Sequence, residues 1–179
     1  VDIPYNIARE DIEVSVLSSY EPEPKTYDAI DIQRIKEILK SAKKPVILVG
    51  GGARQDSVRQ KLKELLDKIH IPTVASLCGL DVLSHNHPCF RGFIGHYGNR
   101  YANLAVANTD CLIVLGSRLD ERQLGGYRTE LQPNAKIIRV DVDKPELGRK
   151  FNETVSIYST VENFLEALLA QDYNDFDYS

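Results

Sequence analysis

Apolar residues recur along this chain in two alternating periods. From Asp31, the positions Ile32, Ile35, Ile38, Leu39 and Ala42 fall on one helical face, and Lys43-Lys44-Pro45 supplies a basic last turn and a breaker. The spacing predicts a helix over 31–42. Pro45-Val46-Ile47-Leu48-Val49 is a short, nearly continuous apolar run stopped by Gly50-Gly51-Gly52, the pattern of a strand buried on both faces. Val58, Leu62, Leu65, Leu66 and Ile69 define a second helix, and Ile71-Pro72-Thr73-Val74-Ala75 a second strand with its proline at the start. Residues 80–98 read as irregular. Asn99–Asn108 reads as a helix with Tyr101, Leu104 and Ala105 on its apolar side, and strands follow at 110–115, 136–140 and 154–158. Val161, Phe164, Leu165, Leu168 and Leu169 form a closing helix that Thr160 is placed to cap.

Strands alternating with helices predict an α/β fold, a doubly wound parallel sheet covered by helices on both sides in a Rossmann-like three-layer α/β/α arrangement. Residues 1–30, with Pro4, Pro22 and Pro24 and no sustained period, read as an extended connection. The packed domain is expected over 31–170, with a loose acidic and aromatic tail at 171–179. Val1 and the absence of methionine suggest a segment of a longer polypeptide.

Composition narrows the function classes. The 22 basic and 26 acidic residues are scattered and leave a net charge of −4, so no basic stripe for nucleic acid is present. No apolar run is long enough to cross a bilayer, and the N-terminus has no basic segment followed by an apolar signal stretch. A cytoplasmic location and a small-molecule or protein partner are expected. Cys78, Cys89 and Cys111 are odd in number and widely spaced, which suits buried, reduced thiols.

In an open parallel sheet a ligand lies at the C-terminal ends of the strands. After Val49, the bare backbone of Gly50, Gly51 and Gly52 suits either amide contacts to a phosphate or a tight strand-to-helix turn. The dinucleotide fingerprint of dehydrogenases would need a further glycine and an acidic residue where this chain has Gln55 and Ser76. Gly92, Gly95 and Gly98, with His96 and Tyr97 between them, lead directly into a predicted helix, which favours close approach of a flat or anionic ligand. Gly116-Ser117-Arg118-Leu119-Asp120-Glu121-Arg122 places two guanidinium groups after a strand, suited to forked phosphate contacts or to pairing with Asp120 or Glu121. After Val140, Asp141 and Asp143 offer a carboxylate to a ribose hydroxyl or a cap to the turn near Pro145. His85-Asn86-His87-Pro88-Cys89 lacks a metal-site spacing. No self-contained catalytic constellation is visible.

Taken together, residues 45–52, 95–103, 116–122 and 141–148 resemble, in order and spacing, the middle domain of acetolactate synthase and its thiamine-diphosphate-dependent relatives. Val1-Asp2-Ile3-Pro4 resembles the last strand of the domain that precedes it there. The resemblance implies a central domain of an enzyme joining or cleaving 2-oxo acids, with thiamine diphosphate and Mg²⁺ held by flanking pyrimidine-binding and diphosphate-binding domains, and a homo-oligomeric parent. It implies FAD or ADP in this domain, held through Gly51, Gly52, Gly95, His96, Tyr97, Gly98, Arg118, Asp120, Arg122, Asp141 and Asp143. An empty crevice in a purely structural, assembly-shaping domain is the alternative. Where the synthases usually carry Gly-Met-His-Gly and Asp-Asp-Arg, this chain has Gly95-His96-Tyr97-Gly98 and Asp120-Glu121-Arg122, which favours an adenine nucleotide over the flavin ring.

Overall fold

The computed structural model describes residues 2–124, 134–149, 152–173, 176 and 178. Its centre is one six-stranded, all-parallel sheet built from β1 (Pro45–Val49), β2 (Thr73–Ala75), β3 (Phe90–Phe93), β4 (Cys111–Leu115), β5 (Lys136–Asp141) and β6 (Val155–Tyr158). The order across the sheet is β3-β2-β1-β4-β5-β6. The chain therefore winds outward from β1 to one edge, returns to β4, and winds to the other. This is the doubly wound arrangement, with its switch point between β1 and β4. Pro45 sits opposite Cys111 and Val49 opposite Leu115, so the two central strands end level.

Side-chain alternation along the strands sorts the core into two layers. Ile47, Val49, Ile113, Leu115, Ile138 and Val140 face one side, where they meet α1 (Ile32–Ser41), α2 (Asp56–Ile69) and α5 (Val161–Leu169). Val46, Leu48, Leu112, Val114 and Ile137 face the other, where α3 (Arg100–Ala107) and Leu119 cover them. Every residue of β1 and β4 is buried, which is why both strands read as unbroken apolar runs. Each such Val, Ile or Leu contributes roughly 1.5–3 kcal/mol of transfer free energy. Caps set the helix starts: Asp31 accepts from the Arg34 amide at 3.1 Å, and Thr160 accepts from the Asn163 amide at 3.1 Å.

Several expectations need correction. The stretch read as irregular contains β3, an edge strand whose Arg91 and Gly92 break any apolar run and whose pairing with β2 shifts register. The face of α3 is also different: Ala102 and Val106 are buried, while Tyr101 and Leu104 point outward. Small side chains let this short helix lie close to the sheet. Residues 25–30 are not a free connection. Lys25 Nζ donates to Val142 O at 3.3 Å, the Asp28 amide to Tyr158 O at 3.0 Å, and Tyr27 packs on Tyr158 with ring centres 5.3 Å apart. The tail also packs. Tyr173 is buried with its hydroxyl on Leu168 O at 2.7 Å, and the Tyr178 hydroxyl donates to Leu39 O. Val1 and residues 174, 175, 177 and 179, which belong to the same sequence expectations, lie outside the described residues.

Cys89 and Cys111 are buried as expected, but Cys78 is exposed, on the turn after β2. Burial pushes the Cys111 thiol up to about 12, with nearby Asp110 adding to the shift. Because the thiolate is the nucleophile, Cys111 stays inert at neutral pH. Cys89 is raised by burial as well. A chromogenic disulfide reagent at pH 8 is therefore expected to titrate Cys78 alone in the native protein and all three thiols in denaturant. Rapid native reaction of two or three thiols would contradict this packing.

Candidate functional site

The rim of the sheet at the ends of β1 and β4 is formed by glycine backbones in contact. A Cβ on Gly50 would lie 2.2 Å from Gly116 O, one on Gly52 2.9 Å from Gly116 Cα, and one on Gly116, at φ +60°, 2.6 Å from Gly52 Cα. The Gly52 amide donates to Gly116 O at 3.0 Å, and the Ala53 and Arg54 amides to Gly50 O and Gly51 O. The tight-turn alternative thus accounts for Gly50 and Gly52, whose amides are spent inside the protein. Gly51 is roomier, its Cβ position lying 3.4 Å from Cys78 Cβ.

The loop after β4 carries its own geometry. Ser117 is buried, and its hydroxyl meets Gln123 Oε1 at 2.7 Å. Leu119 adopts φ +50° with its side chain buried in the α3 layer. A left-handed conformation in a branched apolar residue costs about 1 kcal/mol or more and persists only where packing enforces it. Arg118 is left outside, 71% exposed, with its guanidinium 3.7 Å from Asp143 Oδ2. Asp120 Oδ1 accepts from the Gln123 amide at 3.1 Å and caps α4 (Glu121–Leu124). The Arg122 side chain is exposed.

The glycine loop after β3 packs against that short helix. Gly95 stands at φ +113°, and a Cβ there would lie 2.7 Å from Arg122 O, the same carbonyl that accepts from the His96 amide at 3.1 Å. Gly98 donates to Gly95 O at 2.9 Å and has no room for a Cβ, 2.6 Å from Ile94 C. His96 and Tyr97 form an edge-to-face pair with centres 4.9 Å apart, and Tyr97 is 85% exposed. Stretches that were independent in the sequence are one structural unit here.

The two aspartates after β5 differ. Asp141 is 8% exposed; its Oδ1 accepts from the Asp143 amide at 3.0 Å and its Oδ2 lies 3.4 Å from Arg139 Nη2. Arg139 is wholly buried on β5 and also meets Glu153 at 3.2 Å and Glu146 O at 2.9 Å. Of the two, Asp143 is the more open to a ligand, and Asp141 positions it through the amide bond. Arg118 and Asp143 are therefore brought together, Asp120 and Asp141 serve the loops that carry them, and His96 and Tyr97 stand on the neighbouring loop.

Sequence reasoning passed over several supports. Arg139 sits inside a strand, and its partner Glu153 lies fourteen residues further on, beyond a turn. Asp81, in the stretch read as irregular, holds Arg54 and Arg59, each at 2.8 Å, beside the Cys78 turn. The hydrogen bond from Arg54 is the main cause of the depressed Asp81 pKa. Ser117, Leu119, Asn99, Asn103 and Gln123 fix the loops; the first four lay inside stretches that had drawn notice, without a role of their own, and Gln123 lay outside them. In the histidine segment, His87 Nδ1 accepts from the Cys89 amide at 3.1 Å and His85 stacks on Phe90 at 4.8 Å. Both rings are thus engaged in local structure. Among the described residues, no group of three or more His, Cys, Asp or Glu side chains is arranged to hold a metal ion.

Comparison with known proteins gives the same domain. Residues 32–168 match the model of the family described as thiamine pyrophosphate enzyme, central domain. The chain is similar to the acetolactate synthase large subunit of Cyanidium caldarium, 35% identical over 139 residues that cover 78% of this chain and 24% of that protein. It is similar to the acetolactate synthase isozyme 1 large subunit of Escherichia coli, 34% identical over 172 residues, covering 94% and 30%. A probable acetolactate synthase large subunit of Methanocaldococcus jannaschii is 29% identical over 178 residues, covering 95% and 30%. The chain spans less than a third of the length of these relatives. With the doubly wound sheet and a family match over most of its length, the chain belongs to the central-domain family of thiamine pyrophosphate enzymes.

Proposed function

We propose that this chain is the nucleotide-holding central domain of a thiamine-diphosphate- and Mg²⁺-dependent, acetolactate synthase-like enzyme acting on 2-oxo acids, and that it carries no catalytic group itself. The observation that carries this reading is the exposed Arg118 guanidinium, held 3.7 Å from Asp143 at the C-terminal rim of the sheet. A diphosphate pairs with such a cation, and Asp143 accepts from a ribose hydroxyl. The residues fit an adenine nucleotide through this pair rather than through the Gly52 amide, which is already bonded to Gly116 O. His96 and Tyr97 offer ring faces to an adenine or to the isoalloxazine of FAD.

In the whole enzyme, bound thiamine diphosphate would supply the carbanion chemistry toward a 2-oxo acid. Pyrimidine-binding and diphosphate-binding domains of the same polypeptide would hold it with Mg²⁺, in a cytoplasmic homo-oligomer. Among the described residues, no helix is long and apolar enough to cross a membrane. The domain boundaries that accompany this reading are 1–30 for the end of a preceding domain and its connection, 31–170 for the central domain, and 171–179 for the exit. A second reading, a structural domain with an empty crevice, draws support from the Gly50, Gly52 and Gly116 contacts that close the base of the switch point.

Calorimetric titration of the 179-residue chain with ADP, FAD and NAD separates the two. ADP or FAD is expected to bind, and Arg118→Ala to weaken binding by roughly tenfold to a hundredfold, the range for a charge-assisted hydrogen bond. Silence from all three ligands would support the structural domain, and binding of NAD alone would overturn both readings.

A further inference from the structure

Around the glycine loop after β3, two side chains outside the proposed ligand-holding set, Asn99 and Asn103, do work that the loop cannot do for itself.

A loop with glycines at 92, 95 and 98 has little intrinsic preference for one conformation. Gly92 and Gly95 both stand at positive φ, +84° and +113°. Something outside the loop must hold it. On one side this is Arg122 O, bonded to the His96 amide at 3.1 Å. On the other it is Asn103, in the second turn of α3. Its Oδ1 accepts from the Gly95 amide at 2.9 Å, and its Nδ2 donates to Gly95 O at 3.1 Å. A primary amide offers one acceptor and two donors in a plane, so this two-point contact copies the pairing of one backbone unit with another. It fixes both ends of the Gly95 residue, from which His96 and Tyr97 follow.

Asn99 does the same work one turn earlier. It stands at the N-cap of α3 but makes no capping bond there. Its Oδ1 instead accepts from the Phe93 amide at 3.0 Å, and its own amide donates to Phe93 O at 2.8 Å. A Cβ on Gly92 would lie 2.3 Å from that Oδ1, so the strand is bare where the amide lies over it. The start of α3 is thus used to hold the loop before it.

We propose that Asn103 is the positioning residue of the Gly95–Gly98 loop, fixing the backbone from which His96 and Tyr97 meet the aromatic ring of a bound nucleotide. This rests on the nucleotide-holding reading above. Leucine at position 103 keeps the shape and removes both bonds. Aspartate keeps the acceptor for the Gly95 amide but sets a carboxylate oxygen against Gly95 O.

The test pairs amide hydrogen exchange with titration of ADP and FAD on the wild-type chain and on Asn103→Leu, Asn103→Asp and Arg118→Ala. In Asn103→Leu the Gly95 amide is expected to exchange about five- to tenfold faster, the scale of one net hydrogen bond at a partly wet site. Affinity for the ligand that binds wild type is expected to fall by about the same factor, with the far-UV spectrum unchanged. Asn103→Asp should retain most of the Gly95 protection and show an intermediate affinity. Unchanged Gly95 exchange in Asn103→Leu overturns the proposal. So does faster exchange with full affinity, provided Arg118→Ala loses binding, and in that case the nucleotide reading stands. If the wild-type chain binds neither ADP nor FAD, the nucleotide reading fails and takes the ligand role of Asn103 with it.

Discussion

Replacing Gly50 by alanine is expected to destabilise this chain by about 3 kcal/mol or more, at the upper end of what overpacking costs. The added methyl would sit 2.2 Å from Gly116 O and 2.7 Å from Ser117 Cα, so backbone must move to admit it. That backbone is the junction of β1 and β4, the two level strands at the centre of the sheet. Relief by side-chain rotation is not available there. Two control substitutions separate crowding from the general effect of losing a glycine. A Cβ on Gly51 would meet Cys78 Cβ at 3.4 Å, an ordinary contact, so Gly51→Ala should change stability by less than about 1 kcal/mol. Gly148, at φ +70° with nothing within 4 Å of a Cβ, should lose about 1 kcal/mol through strain alone. Urea unfolding of the three variants is expected to rank the losses as Gly50, then Gly148, then Gly51. A mild Gly50→Ala would mean that the two loops are not in contact.

Arg139→Ala should cost roughly 3–5 kcal/mol, the effect of removing one partner from a buried ion cluster. Arg139 is fully buried, and its loss leaves Glu153, with a side chain 1% exposed, and Asp141 without their counter-charge. The carbonyl of Glu146 also loses its donor. Because Asp141 in turn accepts from the Asp143 amide, the damage should spread to the Arg118–Asp143 pair and weaken nucleotide binding as well. Pairing Arg139→Met with Glu153→Leu should recover part of the stability, since only Asp141 then remains uncompensated. Arg118→Ala provides the contrast. That guanidinium is 71% exposed and its ion pair is long, so the stability change should stay within about 0.5–1 kcal/mol. Equal destabilisation by Arg118→Ala and Arg139→Ala would contradict the burial on which the argument depends.

These two predictions fall on residues that the sequence presented differently. Gly50 was visible as a glycine at the end of an apolar run, but whether its bareness served a ligand or a neighbour depended on what lay opposite. Arg139 stood inside Lys136-Ile137-Ile138-Arg139-Val140 as a charge among the apolar residues of a strand. The carboxylates that explain it come from Glu153, beyond a turn, and from Asp141 on its own strand.

The strands at 45–49 and 110–115 were legible because burial on both faces demands a nearly continuous apolar run, that at 136–140 because Ile137, Ile138 and Val140 keep most of one around Arg139, and the turns after them because glycine or aspartate stopped each run. The helices at 31–42, 58–69 and 161–169 were legible for the matching reason, since each buries one stripe against the sheet. Those features are local and follow from side-chain period. β3 was not, because Phe90-Arg91-Gly92-Phe93 lies at a sheet edge where one face is covered incompletely and no run is needed. Nor was the orientation of α3, whose large apolar residues Tyr101 and Leu104 point away while Ala102 and Val106 touch the sheet. Close approach favours small side chains there, a choice made by the space between helix and strands. The same holds at the rim. The sequence named the loops; the contacts of Gly50 and Gly52 with Gly116, of Gly95 with Arg122, and of Arg118 with Asp143 were decided by the strand order, which sets loops far apart in the chain side by side.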